Sequence, residues 1–121
     1  MSKRERQQGE LEGEVMNVLW NASGSLTSQE ILETINNGER DLALTTILTV
    51  LSRLVDKGMV KRTAGTGRSF NFTSTESREK HSAKLMIGLL SDTSNPALTF
   101  AQFTSALTPK QLEALREALD K

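Results

Sequence analysis

The sequence predicts a mainly α protein with one small β-hairpin, and three observations predict it. Apolar residues recur at helical spacing over most of the 121 residues. The period changes once, in "MVKRTAGTGRSFNFT" (59–73), where alternating stretches flank a glycine-rich tip. That stretch follows three helical segments and precedes three more, with no internal repeat.

Each element has a local reason. "GELEGEVMNVLWNA" (9–22) puts Leu11, Val15, Val18, Leu19 and Ala22 on one helical face, with Glu10, Glu12 and Glu14 near its positive end. "TSQEILETI" opens with a capping box, Thr27 as N-cap and Glu30 at N3, and buries Ile31, Leu32 and Ile35. "NNGERD" is a turn. A third helix runs from about 43 to 57 with Ile47, Leu51, Leu54 and Val55 inward and Gly58 as C′; its start has no good N-cap. In the hairpin, Met59 and Val60 begin one strand and Phe70 and Phe72 alternate on the other, with Gly65 and Gly67 in the turn. "SLT" (25–27) can supply a short third strand. Helices follow at about 76–90, 97–106 and 109–120, the last with Thr108 as N-cap, Pro109 at N1 and Gln111 at N3. The first part of this order is that of a winged helix-turn-helix; the later helices form a second unit.

Composition narrows the function. Hydrophobic content is 36% and only five residues are aromatic, so part of the apolar surface is expected to be buried against a partner. The absence of cysteine excludes disulfides, zinc fingers and thiol chemistry. No apolar run approaches the ~20 residues needed to span a bilayer, and no secretory h-region follows Met1, so a cytoplasmic protein is expected. Net charge is zero but segregated: +2 over residues 1–8, −6 over 9–41, none over 42–52, +4 over 53–72 and 0 over 73–121. A basic block inside a neutral protein implies a local anionic partner.

That block coincides with the helix-turn-helix. In such a motif the second helix enters the DNA major groove and its outward face meets base edges. Here that face carries Thr45, Thr46, Thr49 and Ser52, with Arg53 beside them. Threonine offers a hydroxyl to base edges and a methyl to the thymine C5-methyl, where a carboxylate would be repelled by phosphate. Threonine is otherwise a poor choice for an exposed helical face. Lys57, Lys61, Arg62 and Arg68 surround the hairpin with no acid from 57 to 72, as expected of a wing that neutralises phosphates and sets register. Arg53 has two roles open to it, a phosphate contact or an ion pair with an acid of the first two helices.

Other chemistry is not encoded. One histidine, His81, and no cysteine make a metal site or a nucleophilic triad untenable, and His81 reads as a surface or interface residue. Glu10, Glu12 and Glu14 do not converge and read as a solvated face. "GTG" (65–67) joins two strands rather than preceding a helix, so it is a turn and not a phosphate loop. Trp20 reads as a core plug. Neither an enzyme nor a cofactor is expected.

The last three helices carry more apolar surface than they can enclose. Met86, Leu89 and Leu90 lie on the first, Leu98, Phe100, Phe103 and Leu107 on or after the second, and Leu112, Leu115 and Leu119 on the third. Pairing with a second copy buries them at ~25 cal/mol per Å² and lets two recognition helices read an inverted repeat. The expectation is therefore a winged-helix DNA-binding domain over 1–74 and a helical dimerisation domain over 75–121, in a homodimeric repressor of a palindromic operator. The alternative is a winged-helix protein-interaction module that does not bind DNA.

Four stretches, "LEGEVMNVLW" (11–20), "LTSQEILETI" (26–35), "TTILTVLSRLVDKGMVKR" (45–62) and "GRSFNF" (67–72), resemble the BlaI/MecI/CopY repressors of bacteria. The resemblance covers most of the chain. It implies a winged-helix N-terminal domain, a helical C-terminal dimerisation domain and repression by operator occupancy. Thr45, Thr46 and Thr49 are similar to that family's groove-facing positions, and Arg68 to its wing arginine. The copper-responsive branch ends in a cysteine cluster, absent here, which excludes copper release by that route. The penicillinase branch is inactivated by a sensor protease at an Asn-Phe bond. The corresponding dipeptide here is Thr99-Phe100, and cutting it would separate the last helices and weaken the dimer.

Overall fold

The structure, a computed structural model, describes residues 3–38 and 40–121, with side chains from residue 9 onward. The basic block of residues 1–8 lies outside the described side chains. The order is α1 (Lys3–Asn21), β1 (Leu26–Thr27), α2 (Ser28–Ile35), α3 (Leu44–Asp56), β2 (Val60–Ala64), β3 (Phe70–Ser74), α4 (Arg78–Ser91), α5 (Pro96–Ala106) and α6 (Pro109–Leu119). Two compact units divide the chain, Met1–Arg78 and Glu79–Lys121.

In the first unit three helices pack on a three-stranded antiparallel sheet of order β1-β3-β2. "SLT" does contribute the edge strand β1, pairing Leu26 with Phe72. Leu11, Val15, Met16 and Leu19 of α1, Ile31 of α2, and Ile47, Val50, Leu51 and Leu54 of α3 form one buried cluster, closed by Val60 and Phe72. Met16 and Val50 widen the expected stripes, while Val18, Ala22, Leu32, Ile35 and Val55 are only half-buried. The reason is that α1 packs on both α2 and α3, and α3 packs also on β2. A helix with two neighbours buries a wider arc than a single seam.

Local chemistry sets the joints. The capping box of α2 is complete: Glu30 N–H donates to Thr27 Oγ1 at 3.1 Å and Thr27 N–H to Glu30 Oε1 at 2.8 Å. Between α2 and α3, Asn36 grips Leu42 through both ends of its amide, Nδ2 donating to the Leu42 carbonyl and Oδ1 accepting from its N–H, each at 2.9 Å. Ala43, the N-cap of α3, supplies no side-chain bond. At its other end α3 closes in a Schellman motif. Gly58 N–H donates to Val55 O and Met59 N–H to Leu54 O, both at 2.9 Å, and Gly58 takes φ +77°. The chain then enters β2 within two residues.

Glu12 and Glu14 are not merely solvated. Glu12 pairs with Lys57 and Glu14 with Arg40, bracing α1 against the end of α3 and the turn before it. Trp20 packs against the edge of the core rather than inside it. Half-buried, it donates its indole N–H to the Glu76 carbonyl at 3.0 Å, and the Arg78 guanidinium lies 5.5 Å from its ring centroid. Arg78 also donates to Asn21 Oδ1 at 3.0 Å. The indole therefore fastens the segment leaving the sheet to the end of α1.

In the second unit α5 is capped by Asn95, whose Oδ1 accepts from Leu98 N–H at 3.1 Å, and α6 by the expected Thr108–Gln111 box. None of its described residues is buried. A groove of about 480 Å³ between α4 and α5 is lined by Met86, Ile87, Leu89, Leu90, Phe100 and Phe103. No helix among the described residues is long and apolar enough to cross a membrane.

Candidate nucleic-acid interface

The outward surface of α3 follows from its inward one. Once Ile47, Val50, Leu51 and Leu54 are buried, the 3.6-residue period turns Thr45, Thr49 and Ser52 away from the core. All three are exposed, and Thr46 and Arg53 lie half-buried along one edge of the same face. Thr49 donates its hydroxyl proton to the Thr45 carbonyl at 2.9 Å. Its oxygen lone pairs and methyl remain on the outside. Arg53 makes no ion pair among the described residues, so the bracing role that the sequence left open to it has no partner there.

One acid stands on this face. Asp56 is exposed in the last turn of α3, seven residues from Thr49 and so about 10 Å further along the axis. Recognition helices contact base edges from their N-terminal half, and that half of α3 carries no charge from 44 to 52.

The hairpin sorts its cations by strand geometry. Side chains alternate between faces of a strand, so Lys61 and Arg62 point to opposite sides. Arg62 shares the face of Val60 and of its partner Phe72. Beyond the core it lies over the ring of Phe70, its guanidinium 4.6 Å from the centroid. Arg68 stands exposed at the tip, where Gly67 takes φ +66° and Gly65 N–H closes the loop on Ser69 O at 2.9 Å. Lys57 is brought elsewhere: its Nζ sits 2.6 Å from Glu12 Oε1 on α1.

Sequence reasoning missed two exposed residues on α3, Leu44 and Leu48, at 36% and 42% exposure. Leu48 sits one position from the threonine stripe, and its apolar character suggests the core. Thr99 and Phe100 lie in the first turns of α5; the Thr99 N–H and hydroxyl both donate to the Asn95 carbonyl, at 3.1 and 3.0 Å.

A helix-turn-helix whose second helix presents hydroxyls, followed by a cationic wing, defines a DNA-binding regulator of transcription. Comparison with known proteins specifies the class. The model of the penicillinase repressor family matches residues 8–121. Among curated proteins, the chain is 31% identical over 114 residues to the transcriptional regulator BlaI of Mycobacterium tuberculosis, in each of two strains; the match spans 92% of this chain and 81% of the relative. The chain belongs to the penicillinase repressor family and is a transcriptional repressor, in a family of regulators rather than enzymes.

Proposed function

We propose that the protein is a homodimer that occupies an inverted-repeat operator in the cytoplasm and blocks transcription there. The winged unit binds DNA and the helical unit dimerises. The observation that carries this reading is the exposure of Thr45, Thr49 and Ser52 on α3, and of Arg68 at the tip of the hairpin that follows it. Thr45, Thr46, Thr49 and Ser52 read base edges. Arg53, Lys61, Arg62 and Arg68 neutralise phosphates, and Lys57 can do so only in competition with Glu12. Dimerisation is supported by the apolar, unburied faces of α4, α5 and α6.

Relief of repression by proteolysis at Thr99-Phe100 completes the proposal. The bond is helical, so a protease gains access through local unwinding of α5. Cutting there removes Phe100, Phe103 and all of α6 from the pairing surface. Selection of bound fragments from random duplex DNA tests the core of the reading. An enriched inverted repeat is expected; failure to retard any duplex at low salt would favour a protein-docking winged helix instead.

A further inference from the structure

Among the described residues of the winged unit, three large apolar side chains stay exposed: Leu44, Leu48 and Phe70. Leu44 and Leu48 belong to α3, and Phe70 to the wing strand β3. Phe70 lies under the Arg62 guanidinium; Leu44 and Leu48 are 36% and 42% exposed. The two leucines stand one turn apart, at i and i+4, beside Thr45 and Thr49 in the N-terminal half of α3. An isolated exposed leucine needs no explanation. Two in a row on the helix that otherwise buries four of its residues, flanked by hydroxyls and by a cationic wing, do.

We propose that Leu48, with Leu44 behind it, is a specificity-determining contact that packs on the C5-methyl of thymine in the bound DNA. The inference rests on the DNA-reading assignment of α3 and adds a residue to it. The major groove exposes one apolar group, the thymine methyl; its other features are hydrogen-bond donors and acceptors. A leucine side chain can satisfy none of these and would strip water from any that it covered. It is thus matched to a T·A pair and mismatched to a G·C pair. Charge complementarity selects DNA as the occupant: the uncharged stretch of residues 42–52 is followed along the chain by Arg53, Lys61, Arg62 and Arg68. Thr49, whose hydroxyl proton is already given to Thr45, adds a methyl of its own that can meet a thymine methyl.

The test replaces thymine by deoxyuridine, which deletes the methyl and leaves base pairing unchanged. The full-length protein first selects a duplex from a pool with a random core. Each thymine of that duplex is then changed singly to deoxyuridine, and affinity is measured for wild type, Leu48→Ala and Leu48→Gln. Wild type should weaken about fourfold at one position per half-site, the value of about one buried methylene. Leu48→Ala, which alters both protomers, should bind the parent duplex about sixteenfold more weakly, about fourfold per half-site, and be indifferent to deoxyuridine at that position. Leu48→Gln, which can bond a base edge, should enrich a different base pair there in a fresh selection. The inference is overturned if wild type tolerates deoxyuridine everywhere, or if Leu48→Ala keeps the same sensitivity. Absence of any enriched duplex would sink the DNA reading itself, and this inference with it.

Discussion

At position 49 one hydrogen-bonding capacity is spoken for before any base approaches. The Thr49 hydroxyl donates to its own helix, as helical threonines do. Toward DNA it can accept a hydrogen bond and offer a methyl, but it is a weak donor. Thr49→Val should keep the methyl contact and lose the accepted bond, whereas Thr49→Ala should lose both. The ratio of operator to random-DNA affinity, measured by titration, should fall by about thirtyfold for Ala and less for Val, since one such contact is worth about 1 kcal/mol and the dimer makes it in both half-sites. An unchanged ratio for Thr49→Ala would remove this residue from base reading. The cations divide in a similar way. Arg68→Ala should weaken operator and random DNA alike and flatten the log–log salt dependence by about 1.8, one phosphate contact from each wing of the dimer. Lys57→Met should barely alter that slope, because its ammonium is held by Glu12. The pair is more than half exposed on the lysine side, and its loss should also change stability by no more than about 1 kcal/mol. At this scale the sequence disclosed residue type but not orientation. Lys61 and Arg62 look equivalent in a string of letters, yet the pleat sends them to opposite faces. Leu48 looks like core because its apolarity is visible and its angle on the helix is easily misjudged.

At the scale of elements, stops and starts were the most legible features. The Thr27–Glu30 and Thr108–Gln111 boxes and the Gly58 terminator all form as their spacing requires, since capping depends only on neighbours in sequence. The extent of α1 was less so: it begins at Lys3 rather than near residue 9, because its polar first turns carry no apolar period to mark them. Asn36 was read only as part of a turn, and its grip on Leu42 could not be foreseen, because it depends on how α2 and α3 are set apart. Gly58→Ala should destabilise by about 1 kcal/mol, for its φ of +77° lies in the left-handed region. In thermal unfolding that is a drop of about 4–8 °C for a unit of this size. Thr27→Ala should cost a similar amount through the lost cap. Ala43→Ser should act oppositely and raise the midpoint, since α3 begins without a side-chain cap. An Ala43→Ser variant no more stable than wild type would mean that those N–H groups are already satisfied by water.

For the whole molecule, the contrast between the two units decides how it behaves. The first carries a full complement of buried side chains. The second buries none among its described residues, and leaves Leu85, Met86, Ile87 and Leu89 exposed along one helix. Such a face is stable in water when a second copy covers it. Sedimentation should therefore give a dimer, and Phe103→Asp should shift it toward monomer while lowering operator affinity by more than about tenfold through loss of the second half-site. A Phe103→Asp variant that stays dimeric would place the pairing surface elsewhere. The apolar surface that the last three helices cannot enclose was plain from their residue spacing; the groove that gathers Phe100 and Phe103 against α4 was not, because it depends on how three short helices fold over one another.

The position of Trp20 gives this chain an internal optical gauge. It is the sole indole, it belongs to neither α3 nor the wing, and its N–H is tethered to Glu76, two residues before α4 begins. Its emission therefore reports whether the segment leading out of the winged unit is seated. Solvent reaching the ring would redden that emission while the wing and α3 stay folded, so loosening of the junction can be watched separately from loss of the DNA-facing surface.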